Sequence, residues 1–170
     1  MTMLKITGAL MIILTGIFAG IYAGAVKRRK AEFIRQYIIF LTRAETMISY
    51  SSSSISTILD NICLEGSMEE VLKVFRKGLD EGNNINSAWK NALIYARQKN
   101  LIDEQDMELL QMFSKDFGTC AAEEEKGKIV VCRSLAQQRL DEMLTETKEK
   151  VKLYRIIGTF SGALLAVMII

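Results

Sequence analysis

Histidine and proline are both missing from this chain of 170 residues, and cysteine occurs only three times. Without histidine, the usual general base near neutral pH and the commonest metal ligand are absent together. Cys63, Cys120 and Cys132 form an odd set with no CxxC spacing, which argues against a zinc site and against a disulfide framework. They read as reduced thiols of a cytoplasmic domain. No glycine-rich phosphate loop, nucleophile elbow or histidine pair is present, so no catalytic, metal or cofactor site is expected and the chain reads as a non-enzyme. An excess of one charge is lacking as well: 22 basic residues stand against 20 acidic ones. That balance leaves no basic footprint for nucleic acid.

What the sequence does hold is apolar ends. Residues 6–26 and 156–170 carry no charged side chain, and a membrane crossing needs roughly 20 apolar residues. The first run meets that length. The second is shorter, so it must begin near Leu153, thin the bilayer, or stop at the far headgroups. Lys27, Arg28, Arg29 and Lys30 follow the first run, while Lys148, Lys150, Lys152 and Arg155 lead into the second. Cations beside a span mark its cytoplasmic side. The expected organisation is therefore a transmembrane helix over 1–26, a cytoplasmic helical bundle domain over 27–155, and a transmembrane helix over 156–170, with both termini extracytoplasmic. A cleaved signal peptide ending near Ala25 is the competing reading. The apolar run is longer than the usual signal core, and the four cations after it would have to be exported, which weighs against cleavage.

Between the ends, the absence of proline and of long alternating β-branched runs predicts helices bounded by Gly, Asn and Ser. Ile34, Tyr37, Ile38, Leu41, Ala44 and Ile48 repeat at helical spacing, so the first span is expected to run on as a helix to Tyr50. The serines at 51–54 break it, and Ser54 is an N-cap candidate for a short helix bearing Ile55, Ile58, Leu59 and Ile62. Ser67 and Glu70 have capping-box spacing before Met68, Val71, Leu72, Phe75 and Leu79. A fourth helix carries Trp89, Ala92, Leu93 and Ala96 after a polar turn over 83–86. Asp103 caps a fifth, with Asp106 also read as a capping residue, burying Leu110, Phe113 and Phe117 and stopping at Gly118. From about Cys120 one long helix is expected, with Ala136, Leu140, Met143, Thr147, Val151 and Tyr154 in phase. Its Ile129-Val130-Val131 triplet favours strand on its own, but the charged helical surroundings prevail. The fold class is all-α: an antiparallel bundle of about six helices, the first and last continuous with the terminal transmembrane helices. Trp89, Phe75, Phe113 and Phe117 are the expected core.

Gly16, Gly20 and Gly24 stand four apart in the first apolar run, as do Gly158, Gly162 and Ala166 in the second. Smooth faces of this kind let membrane helices approach closely. They can pair with each other or with another subunit, a homo-oligomer included. Glu123, Glu124 and Glu125 point in different directions around a helix and read as a dipole-favoured, solvated start.

The chain resembles the stage III sporulation protein AB family along its whole length. The resemblance rests on Leu4-Lys5-Ile6 with Gly8, on Arg43-Ala44-Glu45-Thr46-Met47-Ile48-Ser49-Tyr50, on Trp89 with Ala92 and Leu93, and on Lys152-Leu153-Tyr154-Arg155 followed by Gly158 and Gly162. It departs at 51–54, where a proline would be expected, and at Phe117-Gly118, in place of Leu-Gly. The resemblance implies a cytoplasmic domain similar to platform protein F of type II secretion and type IV pilus systems. It further implies a non-enzymatic platform in the mother-cell membrane facing the forespore. Implied partners are a secretion-type cytoplasmic ATPase similar to stage III sporulation protein AA, other membrane subunits of the same complex, and membrane lipids, with no nucleic acid. A membrane-tethered adaptor or signalling bundle is the alternative, and a carboxylate-based membrane enzyme is a third reading disfavoured by the missing histidine.

Overall fold

A computed structural model describes the backbone of residues 2–51, 55–62, 64–115 and 122–169, and the side chains of 22, 24–49, 57–62, 64–115 and 123–146. Two long helices frame it: α1 (Thr2–Ser51) with 50 residues and α6 (Ala122–Ile169) with 48. Between them lie α2 (Ile55–Asn61), α3 (Ser67–Asp80), α4 (Ile85–Gln98) and α5 (Glu104–Gln111), the last followed by a 3-10 turn over Met112–Ser114. No strand occurs among the described residues. The Ile129-Val130-Val131 triplet is helical, because propensity at three positions yields to a pattern sustained over many turns.

The long helices pack against each other, and α3 pairs with α4 as a helical hairpin. Glycine shapes that hairpin at two places. Gly82 has a φ of +84°, which lets the chain reverse after α3 at a conformation that side chains disfavour. Asn84 then caps α4, its Oδ1 accepting from the Ser87 amide at 2.8 Å. Further down, a Cβ placed on Gly78 would lie 3.0 Å from the Ala88 Cβ and 3.3 Å from its Cα. Any side chain at Gly78 would force Ala88 to give way, so glycine suits this close approach of the two helices.

The expected capping box at Ser67 does not form. Helix α3 starts one residue earlier in capping terms, at Gly66 with φ +68° and no side-chain cap, so Ser67 already lies inside the first turn. Glu69 takes over a neighbouring role by accepting from the Leu64 amide at 3.4 Å and from Arg76 Nη1 at 2.9 Å. Arg76 also donates to the Leu59 carbonyl at 2.7 Å and the Ile62 carbonyl at 3.0 Å. These are the carbonyls that the end of a helix leaves without partners. A single guanidinium on α3 thus ties down the end of α2.

Trp89 occupies the centre of the core. Its ring stacks near Tyr37 at 6.1 Å and Phe40 at 6.2 Å, and meets Phe75 at 5.1 Å and Phe113 at 5.4 Å edge-on. The indole Nε1 donates to the Leu110 carbonyl at 2.8 Å. Helices α1, α3, α4 and the turn after α5 therefore converge on one side chain. Trp89, Phe75 and Phe113 belong to the core as expected, joined by Phe33, Tyr37 and Phe40 of α1. Phe117, Gly118, Ser54, Cys63 and Cys120 lie outside the described residues. Cys132 is a buried free thiol. The inner stripe of α6 reads Glu125, Ile129, Cys132, Ala136 and Leu140. That phase explains why Glu125 is buried while Glu123 and Glu124 face solvent, a departure from the solvated triad expected of all three.

Candidate functional site

The polar seam of the bundle lies where α1, α5 and α6 meet. Asp106, on the first turn of α5, is fully buried. Its Oδ2 accepts from the Asp103 amide at 2.9 Å, closing one arm of a capping box. Its Oδ1 accepts from Arg139 Nε at 2.7 Å. A buried carboxylate must be both paired and hydrogen-bonded to be tolerated, and Asp106 is served on both oxygens. Burial works against the Arg139 charge, but the hydrogen bonds and charges of Asp106 and Glu142 outweigh it and raise the guanidinium further above its ordinary range.

Around that pair, further ion pairs join the same elements. Lys30 of α1 donates to Asp103, the N-cap of α5. Lys27 stands 3.9 Å from Glu146 of α6, and Glu45, near the far end of α1, accepts from Arg133 at 2.5 Å. Lys27, Lys30, Asp103, Arg139, Met143 and Glu146 enclose a cleft of about 100 Å³. The seam clasps the first and last helices together and hangs α5 from both. Among the described residues no group of three His, Cys, Asp or Glu side chains could hold a metal ion.

The candidate residues from sequence separate accordingly. Of the four orientation cations after the first apolar run, Lys27 and Lys30 are drawn into the seam, whereas Arg28 and Arg29 are exposed. A Cβ on Gly24 would meet nothing within 4 Å. Gly16, Gly20, Gly158, Gly162, Ala166, Lys152 and Arg155 lie on the helical backbones of α1 and α6, outside the residues whose side chains are described. Among the described residues no helix is long and apolar enough to cross a membrane, and most of both apolar ends lies outside the residues whose side chains are described. Sequence reasoning assigned Asp103 and Asp106 to capping and missed the partner of Asp106, because Arg139 stands 33 residues away with no local pattern linking the two.

The comparisons agree with this architecture. The family model described as stage III sporulation protein AB matches residues 5–170. No curated protein matches the chain. A solved structure titled stage III sporulation protein AB aligns with a TM-score of 0.60 at 17% identity, covering 71% of this chain and 97% of that one. At that identity the likeness speaks for the shared fold, while the family match extends over nearly the whole sequence. A helical bundle framed by its first and last helices, matched from end to end by one family model, makes this chain a member of the stage III sporulation protein AB family.

Proposed function

We propose that this protein is a non-enzymatic membrane platform of a sporulation-specific, secretion-like complex between mother cell and forespore, linking a cytoplasmic ATPase to membrane components. The observation that carries the reading is the continuity of α1 and α6. Each is a single helix of 50 or 48 residues whose apolar end and bundle part form one unbroken rod, about 75 Å long for α1 at 1.5 Å per residue. A rod with one end in lipid and the other in a packed core couples the two mechanically.

In this reading residues 1–26 and 156–170 cross the mother-cell membrane that faces the forespore. The basic flanks hold the bundle on the cytoplasmic side, and the glycine faces at Gly16, Gly20 and Gly24 and at Gly158, Gly162 and Ala166 pack against other membrane subunits or a second copy. The bundle offers α2 to α5 to the ATPase. No reaction is assigned to it. The test is capture of a secretion-type ATPase by the full chain in detergent, with and without nucleotide. Retention in at least one nucleotide state is expected. Absence of binding in every state would overturn the ATPase link.

A further inference from the structure

Among the four consecutive cations after the apolar segment, two turn inward and two do not. Lys27 and Lys30 engage Glu146 and Asp103. Arg28 and Arg29 are exposed and make no ion pair among the described residues. Two turns before Arg29, the Tyr22 side chain is 72% exposed, and Ala25 between them is exposed as well. Positions seven apart on a helix share one stripe, so Tyr22, Ala25 and Arg29 run along one outward line and Arg28 flanks it.

We propose that Tyr22, Arg28 and Arg29 form a headgroup-binding edge that docks the base of the bundle on anionic lipid, a proposal that rests on the membrane reading above. The spacing fits the thickness of the interface. Seven residues of helix span about 10 Å, comparable with the roughly 5–8 Å of polar headgroup on each side of the hydrocarbon. Tyr22 then lies at the acyl boundary, where amphipathic rings concentrate. Arg28 and Arg29 lie at the phosphates, whose oxygens a guanidinium fork takes two at a time. A packed core explains neither the exposed ring nor the two unengaged guanidinia, since all three side chains are exposed. Charge complementarity and continuity with the apolar segment select an anionic bilayer as occupant. The positive flank thus has two parts, in which Lys27 and Lys30 clasp the fold while Arg28 and Arg29 bind the lipid.

The full chain, purified in detergent, is titrated with phosphatidylglycerol and separately with phosphatidylcholine, and retained lipid is counted by native mass spectrometry. Wild type should retain phosphatidylglycerol in preference. A cation near an anionic surface contributes about fivefold in affinity, so R28Q/R29Q should lower that preference by about 30-fold. K27Q/K30Q should melt at lower temperature while keeping the lipid preference. Equal retention of the two lipids by wild type, or an unchanged preference in R28Q/R29Q, overturns the proposal. So does loss of a protein partner from R28Q/R29Q with lipid retention intact, which would assign the arginines to an acidic protein. Failure of the wild-type chain to fractionate with membranes is a separate result that would overturn the membrane reading itself, and this proposal with it.

Discussion

Replacing Tyr37 by phenylalanine removes one oxygen from the centre of the core and should stabilise the protein. The Tyr37 side chain is fully buried and its hydroxyl has no hydrogen-bond partner. An unsatisfied buried polar group costs about 1–3 kcal/mol. Against that recovery stand the lost oxygen contacts, at about 0.1–0.2 kcal/mol each, leaving a net gain of about 1 kcal/mol. The ring stays, so its stacking with Trp89 at 6.1 Å and Phe40 at 6.3 Å persists. For a chain of this size the melting temperature should rise by about 2–4 °C. Trp89 is the sole tryptophan and sits in the core, so its fluorescence during thermal unfolding of the full chain in detergent reports on the bundle alone. Alkaline pH supplies a second readout. Burial pushes the Tyr37 phenol well above its ordinary range, with the charge of Cys132 acting the same way, and burial pushes the Cys132 thiol up. Groups raised in the folded state contribute stability below their unfolded values, about 8.5 for a thiol and about 10 for a phenol, and lose it as pH rises through the folded ones. Wild type should therefore weaken above about pH 9, and Y37F should lose less there. Destabilisation by Y37F at neutral pH would refute the reasoning, since it would mean that the hydroxyl has a partner.

Removing the guanidinium in R139A leaves Asp106 buried without its counter-charge, and the melting curve should register a loss of about 3–5 kcal/mol; R139K should restore part of it, and a loss below 1 kcal/mol would place water at the pair. Two glycines should respond with opposite signs in the same assay. G127A adds a Cβ into open space within α6 and should gain about 0.5–1 kcal/mol from helix propensity. G78V must push Ala88 away across the α3–α4 contact and should lose about 1–3 kcal/mol; a neutral result would mean that the hairpin opens freely.

Periodicity in the sequence carried the helices well and the polar seam badly. The stripe through Ile34, Leu41, Ala44 and Ile48 predicted the buried face of α1, yet Phe33 and Phe40 are buried beside it, because α1 is covered by both α6 and the short helices and so buries a wider arc than one stripe. Phe33, Tyr37, Phe40 and Ala44 repeat at the same helical spacing, a signal that was present and could have been read. Arg76 offers no such signal. Its partners are carbonyls of Leu59 and Ile62, and a carbonyl acceptor leaves no mark on residue identity. The start of α3 at Gly66 shows the limit of cap motifs: Ser67 has the right neighbour at Glu70, but the positive φ of Gly66 places the helix boundary one residue earlier. Arg28 and Arg29 are alike in sequence to Lys27 and Lys30. Only the phase of α1 against α6 and α5 separates them.

Two ion pairs among the described residues join α1 directly to α6, Lys27 with Glu146 and Glu45 with Arg133, and they lie 18 residues apart along α1, or about 27 Å of helix. Pins at two separated heights fix the axial register of a pair of rods. Sliding one past the other by a helical turn, about 5.4 Å, would break both pairs together. Rotation of side chains about either pin leaves the other engaged. Tension along α1 is therefore passed to α6 at two separated heights.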